Sequence, residues 1–372
     1  MLNKIMFFLP TLGGGGAERT VIQLANNLVR QGRKVDVVVC DISGPKGQLL
    51  PEIDPQIELI NLDCGRVANA LFPLKKRLQS VDYEVLVATQ THSNIMAALA
   101  RRLAGSSARL ILREVSTPSK NMKVQGVAKW LLQTLVKMTY PSAAQVVCVS
   151  NGVLEDFREY YAYSRNNLVT IYNPVIDETY AAKLQVPVQH RFFQPENKVI
   201  LAVGRLTEAK NFGLLIRAFH ALYQQHPQTR LIILGEGELR AEFAALVQAL
   251  GLTEVVDLPG FDPNPYAYFK YAELFVLSSN WEGLPGVLIQ ALASKIKVVS
   301  TNCPSGPKEI LADAKFGLLV ECNDQAGMTV AMQQAIFGEY VTYDDTELAA
   351  HCLQFHKHTV QQRYLQLMES ST

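Results

Sequence analysis

The amino-acid sequence predicts an α/β protein built from two doubly wound domains. Its 372 residues exceed what one ordinary hydrophobic core accommodates. Short runs rich in β-branched residues alternate with longer amphipathic runs, which is the pattern of repeated βα units and a parallel sheet. The alternation is interrupted once near the middle of the chain and then starts again. Two parallel sheets are therefore expected, with ligands at the C-terminal ends of the strands.

Each half of the chain contributes its own series of strands. The first half contains the predicted strands KIMFFL, KVDVVVC, IELINL, YEVLVA, RLILRE and AQVVCVS. The intervening AERTVIQLANNLVRQG and SNIMAALARRLAG are predicted helices. The opening run IMFFLPTL is interpreted as a strand because it leads into glycines and lacks a signal-peptide cleavage site. The second half repeats the pattern with KVILAVG, TRLIILG, EVVDLPG, AELFVLS, IKVVST and FGLLV.

The interruption defines the predicted domain boundaries. The segment YNPVIDETYAAKLQVPVQHRFFQPEN contains three prolines and has no clean hydrophobic period, so residues 173–197 are interpreted as an interdomain linker. The N-terminal domain is predicted over 1–172 and the C-terminal domain over 198–352. Residues 353–372 are predicted to form a C-terminal helix, with a return to the N-terminal domain as one option.

Composition and charge exclude several classes of protein. With 48% hydrophobic and 19% charged residues, the chain is typical of a folded protein with a core. The net charge of +1 argues against a nucleic-acid partner. Residues 1–180 contain 20 Lys and Arg against 15 Asp and Glu, which is compatible with one domain facing an anionic surface, although scattered solvated charge is the commoner explanation. No run approaches the roughly 18 apolar residues of a membrane-spanning helix, so only peripheral membrane contact is expected.

The six cysteines are scattered and include no C-x-x-C pair. Reduced thiols in a cytoplasmic protein are therefore expected. Only Cys352, in HCLQFHKH, has histidines nearby, and without a second cysteine or a matching carboxylate this is a weak metal motif. No metal site is predicted.

Two strand ends carry residues that suit an anionic ligand. Gly13 to Gly16 follow the first strand and open a helix, where backbone N–H groups and a partial positive charge are available, although plain packing also requires such turns. Arg205 and Lys210 follow the first strand of the second domain in VGRLTEAKNF. Cations are unfavourable at a helix N-terminus, so a role in neutralising a diphosphate is favoured over a solvated pair.

The segment SSNWEGLPGVLIQALASKIKVVS predicts a strand end, a turn and a helix. Gly283 and Gly286 allow main-chain amides to face a ligand, and Pro285 stiffens the turn. Glu282 is placed where a sugar hydroxyl could reach it. Gln290 follows about two helical turns later and is expected on roughly the same face. The simpler alternative is a capping acid and a surface amide.

The motifs GGGGAER, GRLTEAKN, LGEGELR and FVLSSNWEGLPGVLIQALASKIKVVSTNCPSGPKEI resemble those of glycosyltransferase family 4. The resemblance covers nearly the whole chain and is most specific from Val199 to Val320. It implies the GT-B fold, in which two Rossmann-like domains face each other across a cleft. The family pattern has two glutamates separated by seven residues; Glu282 matches the first, and Gln290 occupies the second position.

The resemblance also implies roles for individual residues. Arg205 and Lys210 would hold the donor diphosphate, and Glu282 would contact the transferred sugar. The donor pocket would further contain Gly15, Gly16, Gly283, Leu284, Pro285, Gly286, Val287 and Gln290, the last on the ribose hydroxyls. A family histidine of the first domain is absent from its usual place, and Glu114 or His92 is considered as its replacement.

Retaining transfer of this type is usually described as front-face attack, in which the leaving diphosphate helps to deprotonate the acceptor. The chain contains no D-x-D triplet and YDDT is interpreted as a helix cap, so metal-independent activity is expected. The expected reaction moves a hexosyl or N-acetylhexosaminyl group from a nucleotide sugar, expected to be UDP-linked, to a lipid-linked or surface-polysaccharide glycan. Three alternatives are a catalytically inactive GT-B partner protein, a GT-B sugar-nucleotide epimerase, and a nicotinamide-dependent oxidoreductase, which the missing fingerprint glycines disfavour.

The acceptor is expected on the basic first domain, at the inner face of the plasma membrane. One basic patch consists of Lys75, Lys76 and Arg77. Residues 124–138 contain an apolar stripe that is expected to pack on the sheet, with Trp130 and lysines 123, 129 and 137 considered for a bilayer interface. The stripe comprises Val124, Val127, Ala128, Leu131, Leu132, Leu135 and Met138.

Overall fold

The computed structural model describes residues 4–121 and 125–370 and confirms two parallel sheets. The first sheet contains β1 (Ile5–Leu9), β2 (Val35–Val39), β3 (Glu58–Asn61), β4 (Val85–Thr89), β5 (Arg109–Glu114), β6 (Gln145–Cys148) and β7 (Leu168–Thr170). The second contains β8 (Lys198–Val203), β9 (Thr229–Leu234), β10 (Val256–Gly260), β11 (Leu274–Leu277), β12 (Lys297–Thr301) and β13 (Leu318–Val320). All twelve predicted strands are present; β7, a three-residue strand, was not predicted.

Helices connect the strands. The first nine are α1 (Gly16–Arg30), α2 (Leu71–Ser80), α3 (Thr91–Ala104), α4 (Pro118–Asn121), α5 (Gly126–Thr139), α6 (Asn151–Tyr161), α7 (Tyr180–Leu184), α8 (Phe212–Gln225) and α9 (Arg240–Ala249). They are followed by α10 (Tyr266–Phe269), α11 (Gly286–Ala293), α12 (Pro307–Ile310), α13 (Gln325–Phe337), α14 (Asp345–Cys352) and α15 (Lys357–Glu369). In the described part of the chain, no helix is long and apolar enough to cross a bilayer.

Both sheets reverse their strand order at a central pair. The first has the order β3-β2-β1-β4-β5-β6-β7 and the second β10-β9-β8-β11-β12-β13, and all paired strands are parallel. The reversal therefore lies between β1 and β4 in the first sheet and between β8 and β11 in the second. In doubly wound sheets this is where the loops at the carboxyl ends of the strands bind ligands.

The chain divides into two compact units. One comprises Met1–Pro174 with His358–Thr372, and the other comprises Val175–Lys357. Most of the segment predicted as a linker therefore belongs to the second unit, where it forms α7 and an isolated parallel bridge between Ile176 and His356.

Strand alternation distributes the core of the first unit over both faces of its sheet. In β1, Met6 and Phe8 face a cluster with helices α2, α3, α5 and α6, whereas Ile5, Phe7 and Leu9 face α1 and α15. Both sets are fully buried. The apolar strands identified in the sequence are thus covered by helices on both sides.

The packing expected for the 124–138 stripe is only partly observed. Leu132 packs in the core and Leu135 is half-buried against it, but Val127, Leu131 and Met138 are exposed by 80%, 51% and 63%. Ala128 is exposed as well, so the prediction that these four residues pack on the sheet is wrong. Helix α5 instead turns Leu132 and Val136 inwards. Val124 and Lys123 lie outside the described residues.

Helix α15 packs against the first sheet and contacts a fully buried arginine. The Arg113 Nε atom donates to the Tyr364 hydroxyl at 2.6 Å, and its other nitrogens donate to Thr89 Oγ1 at 3.3 Å and to Asn173 Oδ1 at 3.2 Å. Arg109 Nε further donates to the carbonyl of Leu367 at 2.9 Å. Neutral groups of α15 and of the chain near residue 173 therefore satisfy a buried charge on β5.

Tyr364→Phe tests this contact. The variant leaves a buried guanidinium N–H without its acceptor, and we expect a loss of about 1–3 kcal/mol in the free energy of unfolding, measured by urea denaturation. Gln366→Ala, an exposed position on the same helix, is the control and should change stability by less than about 0.5 kcal/mol. Equal stabilities of Tyr364→Phe and the wild type would contradict the assigned role of this hydrogen bond.

Candidate active site

In the second unit, the loops that follow β8 and β11 are joined at the point where the strand order reverses. The backbone N–H of Asn280 donates to the carbonyl of Ala209 at 2.8 Å, and Ser278 Oγ donates to the carbonyl of Lys210 at 2.8 Å. Asn211 Nδ2 also donates to Asn280 Oδ1 at 2.9 Å. These bonds fix the short 3-10 turn Glu208–Lys210 against the loop that leads to Glu282.

Lys210 and Glu282 form an ion pair across these loops. Lys210 Nζ lies 2.5 Å from Glu282 Oε1, and the two side chains are only 18% and 12% exposed. Ser279 Oγ donates to the same carboxylate oxygen at 2.6 Å. Burial of Cys303 and, secondarily, the charge of Glu282 raise the pKa of the Cys303 thiol. Lys210 and Glu282, for which the family resemblance implied separate roles, thus meet in one charge pair.

Arg205 lies in the same loop after β8 but has a different environment. Its side chain is exposed, and among residues 4–121 and 125–370 it has no hydrogen-bond or ion-pair partner. Because Glu282 neutralises Lys210, Arg205 is the cation of this loop whose charge is not already compensated. An incoming anion would meet one open guanidinium and one ammonium that already has a partner.

The turn before α11 is enclosed by the loop that follows β12. The Glu282 N–H donates to the Pro304 carbonyl at 3.3 Å. Gly306 has φ = +100°, and a Cβ atom there would lie 2.4 Å from Cδ of Pro285. Only glycine therefore fits at position 306 without moving the turn. Helix α11 begins directly after Pro285, with Gly286 and Val287 in its first turn, where backbone N–H groups have no partner within the helix.

The structure changes the expected relation between Glu282 and Gln290. Because α11 begins at Gly286, Glu282 lies four residues before the helix, and the expectation that both residues share a helix face is wrong. Gln290 Nε2 donates to the Tyr266 hydroxyl at 3.1 Å. The backbone carbonyl of Gln290 accepts a hydrogen bond of 2.5 Å from the Tyr180 hydroxyl. No described residue donates to the Oε1 atom of Gln290, so this oxygen remains available as an acceptor.

In the first unit, the glycine-rich turn after β1 is closed by a carboxylate. Glu18 is 7% exposed, and its Oε2 atom accepts from the Gly15 N–H at 2.9 Å while its Oε1 accepts from Thr11 Oγ1 at 2.5 Å. One of the backbone N–H groups expected to be available at the start of α1 is thus occupied. Around Gly16 there is open space, since no atom lies within 4 Å of a Cβ built there.

Glu114 and His92, the two candidates for the missing histidine, differ in exposure. Glu114 is 1% exposed and accepts from Thr91 Oγ1 at 2.9 Å, from Asn94 Nδ2 at 2.8 Å and from the Tyr140 hydroxyl. Burial raises the pKa of the Glu114 carboxyl, although these donors oppose the shift. His92 is exposed in the first turn of α3. Glu114 therefore holds the start of α3, and His92 is the one open to a ligand.

Metal-ligating side chains do not converge in the described part of the chain. Within residues 4–121 and 125–370, no group of three or more His, Cys, Asp or Glu side chains is arranged to hold a metal ion. YDDT is a helix cap as expected, because the Asp344 side chain accepts from the N–H groups of Thr346 and Glu347 at the start of α14.

Three contributors to the candidate site were missed in the sequence. Glu18 had a recognisable signal, because a glutamate three residues after an N-cap position is typical of a capping box. Ser279 and Tyr266 had none. Their positions beside Glu282 and Gln290 depend on how separate segments pack.

Comparison with known proteins assigns the family. Residues 14–179 match the model for Glycosyltransferase Family 4, and residues 188–346 match that for glycosyl transferases group 1. The N-acetylgalactosamine-N,N'-diacetylbacillosaminyl-diphospho-undecaprenol 4-alpha-N-acetylgalactosaminyltransferase of Campylobacter jejuni is 31% identical over 338 residues, 88% of either chain. A second C. jejuni protein, the GalNAc-alpha-(1->4)-GalNAc-alpha-(1->3)-diNAcBac-PP-undecaprenol alpha-1,4-N-acetyl-D-galactosaminyltransferase, is 26% identical and covers 91% of this chain and 90% of its own. The chain belongs to glycosyltransferase family 4.

Solved structures establish the fold class. The Anabaena protein Alr3699/HepE in complex with UDP-glucose aligns with a TM-score of 0.78 at 18% identity, covering 99% of this chain and all of that one. The apo form of the lipopolysaccharide outer core galactosyltransferase WaaB aligns with a TM-score of 0.74 at 20% identity over 98% of this chain and 99% of that one. Together with the two doubly wound sheets, these similarities confirm the GT-B fold.

Gly306→Ala tests the turn that presents Glu282. The added methyl group would collide with Pro285, and the alanine would have to adopt a positive φ. We therefore expect a loss of about 1–3 kcal/mol in the free energy of unfolding. Gly16→Ala is the stability control, because open space surrounds Gly16 at the first residue of α1. Urea denaturation curves measure both variants. Equal stability of Gly306→Ala and Gly16→Ala would show that the turn tolerates the methyl group.

Proposed function

We propose that the protein is an α-retaining glycosyltransferase. It transfers a hexosyl or N-acetylhexosaminyl group from a nucleotide sugar, specifically a UDP-sugar, to a lipid-linked or surface-polysaccharide glycan, and it acts in the cytoplasm at the inner face of the plasma membrane. The observation on which this proposal chiefly rests is the Lys210–Glu282 pair, which brings a cation and a carboxylate together at the strand-order reversal of the second sheet.

The donor and acceptor classes are supported by relatives. The C. jejuni relatives are named as transferases acting on diphospho-undecaprenol-linked saccharides, and Anabaena HepE was crystallised with UDP-glucose. A sequence identity of 31% over most of both chains supports the same broad acceptor chemistry here. We propose the same substrate classes for this chain, without assigning the sugar or the linkage position.

The basic side chains of the loop after β8 suit a departing diphosphate. Arg205 offers a planar fork of N–H donors for two phosphate oxygens, and Lys210 has N–H donors beyond the one directed at Glu282. Both would stabilise the negative charge that grows as the sugar leaves, and stabilisation of this kind usually accounts for most of the rate enhancement of an enzyme. The acceptor hydroxyl would lose its proton to the leaving diphosphate, so no protein nucleophile is needed.

Glu282 has two proposed tasks. Its carboxylate accepts bonds from Lys210 and Ser279, which fixes its orientation at the end of the loop after β11. A hydrogen bond from a hydroxyl of the donor sugar to this carboxylate would strengthen as positive charge develops on the ring. The same carboxylate holds the Lys210 ammonium in place beside the diphosphate. The cation beside the diphosphate and the carboxylate beside the sugar thus belong to one charge pair.

Gln290 is the proposed ribose contact. Tyr266 holds its amide nitrogen, which leaves Oε1 to accept from a ribose hydroxyl. A neutral amide forms weaker hydrogen bonds than the carboxylate of the family pattern, by about half. The departure at this position also motivates the alternative function, a catalytically inactive GT-B protein that binds nucleotide sugars.

Turnover of a panel of UDP-sugars, measured as UDP release with an undecaprenyl-diphosphate-linked glycan acceptor, tests the proposal. We expect release from at least one donor and no effect of EDTA, because Arg205 and Lys210 are assigned the diphosphate charge. Lys210→Ala should lower kcat roughly a hundredfold, equivalent to about 3 kcal/mol, because it removes a cation and leaves Glu282 without its countercharge.

Lys198→Ala is the matched control. Lys198 forms an ion pair of 2.8 Å with Glu273, but it begins β8 and therefore lies at the end of the strand opposite to the candidate site. This variant should retain wild-type turnover. Loss of activity in EDTA with recovery in magnesium or manganese would refute metal independence, and the absence of release from every donor would favour the inactive binding protein.

The two polar residues around the α11 turn should separate kinetically. Glu282→Gln keeps an acceptor for Ser279 but loses the charge, so kcat should fall at least about tenfold with little change in the donor KM. Gln290→Ala should raise the donor KM about tenfold, near 1.4 kcal/mol, with kcat little changed. Steady-state kinetics with varied donor concentration provide both values.

Two further variants control this assignment. Gln290→Glu should preserve or improve donor affinity, since a carboxylate accepts stronger hydrogen bonds. Tyr266→Phe should raise KM less than Gln290→Ala does, because it removes the hydroxyl that orients the amide and keeps the amide itself. An unchanged KM in Gln290→Ala, or an unchanged kcat in Glu282→Gln, would favour a capped turn with a surface amide instead.

A further inference from the structure

Helix α5 of the first unit exposes a large apolar face. Its outward residues recur three, four and seven positions apart and so lie on one side of the helix. They are Val127, Trp130, Leu131 and Met138, exposed by 80%, 65%, 51% and 63%. The opposite side is packed in the core through Leu132 and Val136. Single exposed apolar residues are normal on a protein surface, but four on one helix face mark an interaction site.

A second exposed aromatic residue lies on α2, which, like α5, packs against α3. Phe72 is 71% exposed at the second residue of α2. In a parallel sheet the connecting helix runs back from the carboxyl end of one strand to the start of the next. Because α2 leads into β4 and α5 leads into β6, both helices begin at the edge of the sheet where the strands end. Phe72, Val127 and Trp130 therefore lie towards the same edge of the first unit. We call Phe72 and the four exposed α5 residues the α2–α5 surface.

The charges on these two helices have one sign. Helices α2 and α5 contain five basic residues and no Asp or Glu. Arg77 pairs with Asp36 and Glu58, whereas in the described ranges the remaining cations, Lys75, Lys76, Lys129 and Lys137, have no ion-pair partner. Lys129 Nζ lies 4.8 Å from the centre of the Tyr160 ring. Exposed acids also border these helices: Glu58 pairs with Arg77, Asp82 follows α2 by two residues, and Glu155 and Glu159 belong to α6, which packs against α5.

We propose that the α2–α5 surface docks onto an anionic lipid bilayer. This inference rests on the proposed function, because a lipid-linked acceptor has to be reached at a membrane. A helix that combines exposed Trp and Leu with lysines lies in the headgroup region, where the apolar face is buried and the ammonium groups reach the lipid phosphates. The 14 residues of α5 are too few to span the bilayer.

The composition favours lipid over a protein partner. Lysine is depleted in protein–protein interfaces, whereas Lys and Trp are both enriched at bilayer surfaces. The four unpaired lysines would each add attraction to anionic headgroups, and the apolar side chains would add a component that salt does not screen. Binding should therefore weaken at high salt without disappearing.

Flotation with vesicles of phosphatidylglycerol and phosphatidylcholine tests the proposal. The double variant Trp130→Glu with Leu131→Glu should lower the vesicle partition coefficient at least about tenfold at both low and high salt, because it removes apolar contacts and adds negative charge. Lys75→Glu with Lys76→Glu should lower binding mainly at low salt. Val330→Glu is the control, since Val330 is 61% exposed on α13 of the second unit and should leave binding unchanged.

Each outcome decides the proposal. All substituted residues are exposed or half-exposed, so unchanged thermal unfolding midpoints verify that the variants are folded. Wild-type binding by the Trp130/Leu131 variant, or equal losses in Val330→Glu, would overturn the proposal. So would a wild-type dimer that this variant converts to a monomer, because a second copy would then cover the surface. Vesicle binding requires no donor, so it can succeed while UDP release fails, and the two proposals are tested separately.

Discussion

The reversal of strand order within each sheet is the constraint that organises this protein. From β8 the chain builds outwards through β9 and β10, and it then returns to place β11 on the other side of β8. Connections therefore leave β8 and β11 towards opposite sides, and in such sheets the crevice between the loops at their carboxyl ends is where ligands bind. Hydrogen bonds such as that from Asn280 N–H to the Ala209 carbonyl lock the two loops together. Lys210 and Glu282 meet because of this arrangement.

Pairing makes the two charges mutually dependent. Both side chains are largely buried, so each would carry a desolvation cost without the other. In the proposed function, a diphosphate bound by Lys210 would share it with Glu282, and a donor sugar bound by Glu282 would contact a carboxylate already oriented by Lys210 and Ser279. Arg205 remains exposed in the same loop. A fixed pair next to an open cation suits the proposed function, in which the site binds a diphosphate and releases it after each transfer.

The first unit handles its buried charges differently. Arg113 and Glu114 are adjacent on β5, so their side chains point to opposite faces of the sheet. Arg113 is satisfied by neutral oxygens of Tyr364, Thr89 and Asn173, whereas Glu114 accepts from Thr91, Asn94 and Tyr140. One residue ties α15 to the sheet, and the other ties down the start of α3, where His92 is exposed. Unlike these buried residues, the large apolar side chains on the outer surface of α5 are exposed to solvent.

The sequence by itself determined the twelve predicted strands, the two-domain α/β class and the family. These features depend on local composition and on short motifs, because runs such as KVILAV need burial and the glycines and proline of residues 283–286 favour a turn. It also indicated Lys210, Glu282 and Gln290 as polar residues near strand ends. Only the tertiary structure decided that Lys210 pairs with Glu282, that Gln290 bonds to Tyr266, and that Leu131 of α5 faces solvent. The partners of the first two contacts are 72 and 24 residues apart, and the third depends on which side of α5 meets α3, so the packing of distant segments determines all three.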